Sequence, residues 1–365
     1  MARYKPAVEI NLQAITHNVA YIRSIVSSQS LLLAVVKCDA YSHGWPAIRE
    51  LNRIGVDWFG VADVEEAARI REFSEKPILI LEPVPPCHFK DVVDKKATMT
   101  INNRKTLDHL LQYFKTTGNR IPCHLYVNTG KNDYGVNPSE VREILKIAQS
   151  NGSFVSGLFT HFSVSATEMA CEHQTQVSRF SSALNNANEY QGNLLVHCAS
   201  SSDLLNGDLH FGMVRVGAAI YGIEAQLECH TLPAMSVRTF INEVRDDFVG
   251  EFVGYIDKSS PQRKARRIAI IDLGYSSGLR RDISFCGNGS VLLHGTRCPF
   301  VHKASMDAIA IDVSHLPDVQ CWEKVVVIGN DGNEEATASE LAKSLGTIPY
   351  ELVTQLGKSP NHKIV

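Results

Sequence analysis

No stretch of this 365-residue chain approaches the roughly 18 apolar residues that a membrane-spanning helix needs, so no transmembrane segment is expected. The opening residues, Met1 to Pro6, include basic side chains but lead into no apolar core, so a secretory signal is not expected. Cys-x-x-Cys spacing is missing too. The nine cysteines are scattered and odd in number, which argues against a disulfide scaffold or structural zinc and for reduced thiols in a cytoplasm. His161, His197 and the other histidines form no pair at ligand spacing on one helix, so no dedicated metal site is expected. Charge of one sign is also lacking. A net charge of −3 gives no reason to expect nucleic acid or an anionic membrane as partner.

What is present is a rhythm. Apolar, β-branched runs recur at Leu31–Lys37, Trp58–Ala62, Pro77–Leu81, Thr98–Ile101, His124–Asn128, Val155–His161, Leu194–Ala199 and Met213–Gly217. Helix-period segments separate them, among them Glu65–Phe73, Thr106–Phe114, Ser139–Ala148 and Glu168–Tyr190. Such alternation implies an α/β fold with a parallel sheet covered by helices, and eight units suggest a closed (β/α)8 TIM-type barrel. An open doubly wound sheet is the alternative, although no Gly-x-Gly-x-x-Gly turn follows an early strand. After Ala225 short strands follow closely at Thr239–Val244, Arg267–Leu273, Ser290–Leu293, Ala308–Val313 and Lys324–Ile328, with a helix over Ala336–Leu345. The expected domains are therefore a barrel over 1–228 and a mainly antiparallel β domain over 229–365.

In a barrel of this kind, chemistry belongs at the C-terminal ends of the strands. Lys37 closes the first run, where it is either a cation reaching off a strand end or an amine made nucleophilic by a dry cavity. His161 follows the sixth run, Ser200 to Ser202 follow the seventh, and Gly217 follows the eighth. Serines and a glycine after the last two strands suit a phosphate cradle. Arg215 lies inside an apolar run and requires a partner there. A lysine, a phosphate cradle and a buried arginine together suit pyridoxal phosphate.

The segment Ala34–Gly44 resembles the cofactor-lysine motif of the alanine racemases, fold-type III pyridoxal-phosphate enzymes. The resemblance continues through Thr160-His161-Phe162, His197–Ser202, Val214–Gly217, Tyr221-Gly222, Val253-Gly254-Tyr255, Leu273-Gly274-Tyr275, Ser305-Met306-Asp307 and Gly346–Glu351. It implies a barrel followed by a β domain, and a cytoplasmic racemase making D-alanine as a peptidoglycan precursor. Lys37 would carry the cofactor as a Schiff base and act as the base on one face of the substrate, with Tyr275 on the other. The resemblance further implies a homodimer whose active sites are shared, Tyr275 reaching into the neighbouring subunit. Tyr41, Ser201, Gly217, Ala218 and Tyr350 match the phosphate binders. Arg215 matches the arginine at the pyridine nitrogen, His161 the histidine beside it, and Met306 and Asp307 a substrate-side loop. Two bases flanking one carbon are what exchange of a proton between its faces requires.

One loop departs from the family's pattern. Where the family reads Asp-Thr-Gly-Met-x-Arg-x-Gly, this chain has Asn128–Gly135, with Asp133 in place of the arginine that touches the substrate carboxylate. Tyr126 likewise stands where many members carry a modified lysine supporting that arginine. A carboxylate facing a carboxylate is repulsive, so either Lys131 supplies the cation or the substrate is another amino acid. Ser42, Val216, Ser200, Ser276-Ser277, Ser305 and His302-Lys303 are smaller departures. Two further alternatives stand beside racemisation: a decarboxylase, for which Cys286 is the nearest acid/base candidate, and a non-catalytic cofactor-binding relative.

Overall fold

The chain is described by a computed structural model over residues 6–152, 154–246, 265, 267–283, 289–358 and 361–365. The segments Val253-Gly254-Tyr255 and Phe285-Cys286-Gly287 lie outside the described residues. The first strand, β1 (Ala7–Ile10), is short and half-exposed on alternate residues. It pairs antiparallel with a strand more than two hundred residues away, Val8 opposite Val237.

The eight apolar runs form eight parallel strands: β2 (Leu31–Val35), β3 (Trp58–Val61), β4 (Ile78–Ile80), β5 (Thr98–Ile101), β6 (Cys123–Tyr126), β7 (Val155–Phe159), β8 (Leu195–His197) and β9 (Met213–Val216). They follow sequence order, except that β9 returns to lie beside β2, with Leu33 opposite Arg215. The two ends of the sheet are joined by backbone bonds, Gly212 N to Val196 O at 3.1 Å and Arg215 N to Ala199 O at 3.0 Å. The sheet is a barrel, not an open fan. Leu32, Leu33, Ala34, Ile78, Leu79, Ile80, Leu125 and Val214 have no exposed surface, as expected where helices cover one face and side chains fill the other. Helices follow where the sequence placed them, including Val64–Arg71, Arg104–Thr117, Val141–Ser150 and Ala170–Ala187. Asp63 caps the first of these and Asn103 the second, each side chain accepting a backbone N–H of the first turn.

One element after β2 is unusual. The helical turn Lys37–Ser42 has φ between 54° and 62° at five consecutive residues with side chains, Cys38 to Ser42. This is left-handed helix. Each such residue costs about 1–2 kcal/mol, so the surroundings must impose it.

The remaining strands are β10 (Met235–Asp246), β11 (Arg267–Ile271), β12 (Ser290–Leu293), β13 (Thr296–Pro299), β14 (Ile309–Asp312), β15 (Lys324–Asp331), β16 (Glu334–Ala336) and β17 (Asn361–Ile364). The long β10 organises them, pairing antiparallel with β1, β11 and β15. Met235, Val237, Thr239 and Ile241 point inward while their neighbours are half-buried, the period of two expected of a sheet with one wet face. Between β12 and β13 the two-residue loop His294-Gly295 has positive φ at both positions, the turn that matches strand twist. The helix Ala338–Ser344 begins at a reciprocal cap between Thr337 and Glu340. By contacts the chain forms two compact units: Thr16–Ala40 with Ile48–Ile220, and Met1–Ile15 with Tyr41–Ala47 and Tyr221–Val365. Among the described residues, no helix is long and apolar enough to cross a membrane.

Candidate active site

Within the barrel unit the polar residues gather at the C-terminal ends of the strands. Lys37 follows β2, and its Nζ donates to Glu82 Oε1 at 3.2 Å; Glu82 lies just beyond β4. Both side chains are about a third exposed, 36% and 40%, so the pair is solvated enough to open for another partner. The loop after β6 turns the Lys131 ammonium onto the Asp133 carboxylate. Tyr134 N also donates to Asp133 at 2.7 Å, and the Tyr126 hydroxyl approaches it at 3.4 Å. Asp133 is therefore a compensated anion. Burial lowers Lys131 from the ordinary lysine range, and the charges of Glu82 and Lys37 also act on it, which places the three groups in one field.

Arg215 enters the barrel from β9 with 4% of its surface exposed. Its guanidinium donates to the carbonyls of Thr160 (2.7 Å) and Cys198 (3.1 Å), and meets His197 Nδ1 at 3.0 Å and His161 Nδ1 at 3.4 Å. All are uncharged acceptors. Arg215 also lies 5.3 Å over the Phe159 ring, which is stacked between Tyr126 and His197. Because arginine donates only, His197 Nδ1 must accept, which leaves its Nε2–H to donate to His124 Nδ1 at 2.9 Å. A Cβ at Gly157 would stand 2.5 Å from the His124 ring, so the glycine is what lets that ring lie against β7. Burial lowers Arg215, and burial followed by the Arg215 charge pushes His124 down to about 3 and His197 well below its ordinary value. His161 has open surface at its strand end yet is closely surrounded, and burial, with Arg215 behind it, lowers it also.

These histidines make a testable contribution to stability. The folded value of about 3 at His124 lies below the ordinary 6.5, so the unfolded chain takes up the proton first. Stability is therefore full above about pH 7 and declines as pH falls, by roughly 1.4 kcal/mol per unit for each ring kept neutral. Urea midpoints measured from pH 7 to 4 should fall steadily, and a flat profile would contradict the buried network.

Ser201 sits in the turn after β8, where its Oγ accepts the backbone N–H groups of Gly217 and Ala219, each at 3.2 Å. The turn is braced by Asp203, which accepts from Ser200 N and Oγ and pairs with His173 at 3.1 Å. The Ser201 hydroxyl and the Gly217–Ala219 backbone thus meet at the ends of β8 and β9, the Oγ accepting two N–H groups and keeping its own proton to donate. This donor set fits a phosphate. The fully buried guanidinium, held by neutral acceptors alone among the described residues, fits a weakly basic ring nitrogen, and Lys37 supplies a primary amine. The residues present are compatible with pyridoxal phosphate.

The other expected residues belong to the second unit. There the Tyr41 ring packs on Tyr221 at 5.0 Å and edge-on to Tyr350 at 6.4 Å, and the Tyr350 hydroxyl donates to Glu224 at 2.8 Å. Tyr275 is 43% exposed and is brought together with Met306 and Asp307. Tyr275 N donates to Ser305 O, Ser276 N to Met306 O, and the Ser276 hydroxyl to Asp307 at 2.9 Å. A Cβ at Gly274 would come 2.3 Å from Met306 O, so only glycine allows the two loops to meet. Sequence reasoning missed Glu82, although it is a charged residue at the end of an apolar run. It also missed His124, whose partner is seventy-three positions distant.

The family model described as alanine racemase, N-terminal domain, matches residues 10–225, and that described as alanine racemase, C-terminal domain, matches 234–364. The chain belongs to the alanine racemase family. A protein of Desulfovibrio desulfuricans named alanine racemase is 32% identical, over 96% of this chain and 95% of its own length. Alanine racemase 1 of Caldanaerobacter subterraneus subsp. tengcongensis is 31% identical, over 96% of this chain and 92% of its own. The crystal structure of alanine racemase from Streptomyces lavendulae superposes with a TM-score of 0.90 at 26% identity, covering all of this chain and 98% of that one. That from Bacillus anthracis does so with 0.87 at 26%, covering all of this chain and 96% of that one.

Proposed function

We propose that the chain interconverts L- and D-alanine with pyridoxal phosphate bound at Lys37. The reading rests on one observation above all: Lys37, His161 and Ser201 follow strands of a single barrel whose β9 carries the buried Arg215, in a chain of this family. When bound, the cofactor supplies an electron sink that makes the α-proton of the amino acid removable. Lys37 holds it covalently and moves a proton at one face of Cα. Tyr275 moves the proton at the other face. Arg215 stays protonated against the ring nitrogen, because a guanidinium donates a hydrogen bond without giving up its proton. Within the barrel unit the phosphate is assigned to Ser201 and the backbone of Gly217 and Ala218, and His161 steadies Arg215.

Tyr275 and Met306, at 43% and 56% exposed, present their side chains to solvent, as expected of residues that complete the site of a second copy. The functional unit proposed is a homodimer, the arrangement the family resemblance implies, and the cytoplasm is the proposed location. The cofactor-binding part extends to about residue 228 and the part carrying Tyr275 follows it, with β1 lent to the C-terminal sheet.

Lys131 is assigned the substrate carboxylate, with Asp133 and Tyr126 fixing its position, so that a salt-bridged lysine takes over from the missing arginine. Lys131→Met should raise KM for alanine by about tenfold or more with a smaller change in kcat. An unchanged KM would place the carboxylate elsewhere. The reading as a whole is tested by incubating the protein with pyridoxal phosphate and L-alanine and following D-alanine by chiral chromatography. The expected end point is a near-equal mixture, and the absence of D-product from alanine would overturn the proposal.

A further inference from the structure

We propose that Glu66 is the positioning residue of the cofactor lysine: its carboxylate holds the left-handed turn that Lys37 opens, and through it the direction in which the amine leaves the barrel. This rests on the reading of Lys37 as the amine that binds the cofactor.

Any helical turn leaves its first N–H groups without partners inside it. Here they are satisfied from outside. Glu66 Oε1 accepts Cys38 N at 2.6 Å, and the carboxylate also accepts Asp39 N. Its Oε2 accepts Ala62 N at 2.8 Å, at the end of β3. One side chain thus ties the turn that follows Lys37 to the end of β3. Glu66 is fixed in turn, because it stands in the first turn of the helix Val64–Arg71 and its N–H donates to the cap Asp63 at 2.8 Å. Bonds to an ionised acceptor are the stronger kind, which is what a backbone of the disfavoured hand needs to persist. The carboxyl is half-buried and burial raises it above its ordinary value, a cost that three amide bonds reduce without cancelling. Lys37 is the residue before five left-handed ones, so a relaxed turn redirects its side chain first.

The test compares holoenzyme carrying Glu66→Gln or Glu66→Asp with the unmutated protein. Glutamine keeps the shape but turns a donor toward donors, and aspartate keeps the charge but loses reach. The glutamine variant should melt cooperatively, lose kcat by about 10- to 100-fold and release pyridoxal phosphate about tenfold faster. Its KM for alanine should stay within about threefold, because the Lys131 loop is untouched. The aspartate variant should fall between it and the unmutated protein, and decides the matter alone should the glutamine variant fail to fold. A lowered melting temperature with kcat and cofactor release unchanged would reduce Glu66 to a structural brace and overturn the inference. Borohydride reduction separates the two claims. Reduced cofactor on another lysine of the unmutated protein overturns the reading of Lys37 and this inference with it. Reduced cofactor on Lys37, with the variants indistinguishable from the parent, overturns the role of Glu66 only.

Discussion

Lys37→Ala should remove the absorbance near about 420 nm that pyridoxal phosphate acquires when joined to a lysine, and with it all measurable racemisation. Lys37 is the amine at the end of β2, beside Glu82, and the Lys131 ammonium is engaged with Asp133. Losing a general base alone costs typically about 10²- to 10⁴-fold, and here the covalent attachment goes too. The fold should survive, because a side chain 36% exposed at a barrel's rim contributes little packing. The measurement is a spectrum before and after borohydride, together with a turnover assay. A variant that retains both the band and D-alanine formation would move the cofactor to another lysine.

Tyr275→Phe is expected to separate the two halves of the reaction. Racemisation should fall by about 10²- to 10⁴-fold, the contribution of one general acid–base group. Lys37 remains, so exchange of the α-proton with solvent should persist for one enantiomer and fail for the other. The exposed ring makes this a clean substitution, since the backbone bonds of Tyr275 and Ser276 to the Met306 loop do not involve the hydroxyl. Mixing Tyr275→Phe with Lys37→Ala should restore activity in hybrid dimers, provided each site draws its tyrosine from the other copy. Retention of full racemisation by Tyr275→Phe would refute the two-base reading.

The barrel was legible because burial on both faces writes itself as unbroken apolar runs, and each of the eight runs became a strand. β1 and β17 were not, since four-residue strands that pair with each other and with β10 carry no local signal. The left-handed turn was hidden for a related reason. Cys38 to Ser42 contain no glycine to announce positive φ, and the carboxylate that accepts the turn's first N–H groups, Glu66, lies almost thirty positions onward. At the site, the need for a partner to Arg215 was legible from its apolar strand, but not that the partners would be two carbonyls and two neutral imidazoles. The Asp133 substitution read as a repulsive carboxylate; the adjacent Lys131 compensates it, a contact set by loop direction that sequence does not encode.

The central claim is proton exchange between the two faces of Cα on a cofactor held by Lys37. It is tested most directly by turning over L-alanine in deuterium oxide and examining both enantiomers by mass spectrometry. Two bases predict D-alanine carrying one deuterium at Cα, with deuterium also accumulating in the recovered L-alanine. Release of carbon dioxide, or L-alanine recovered without label and without D-product, would contradict the account.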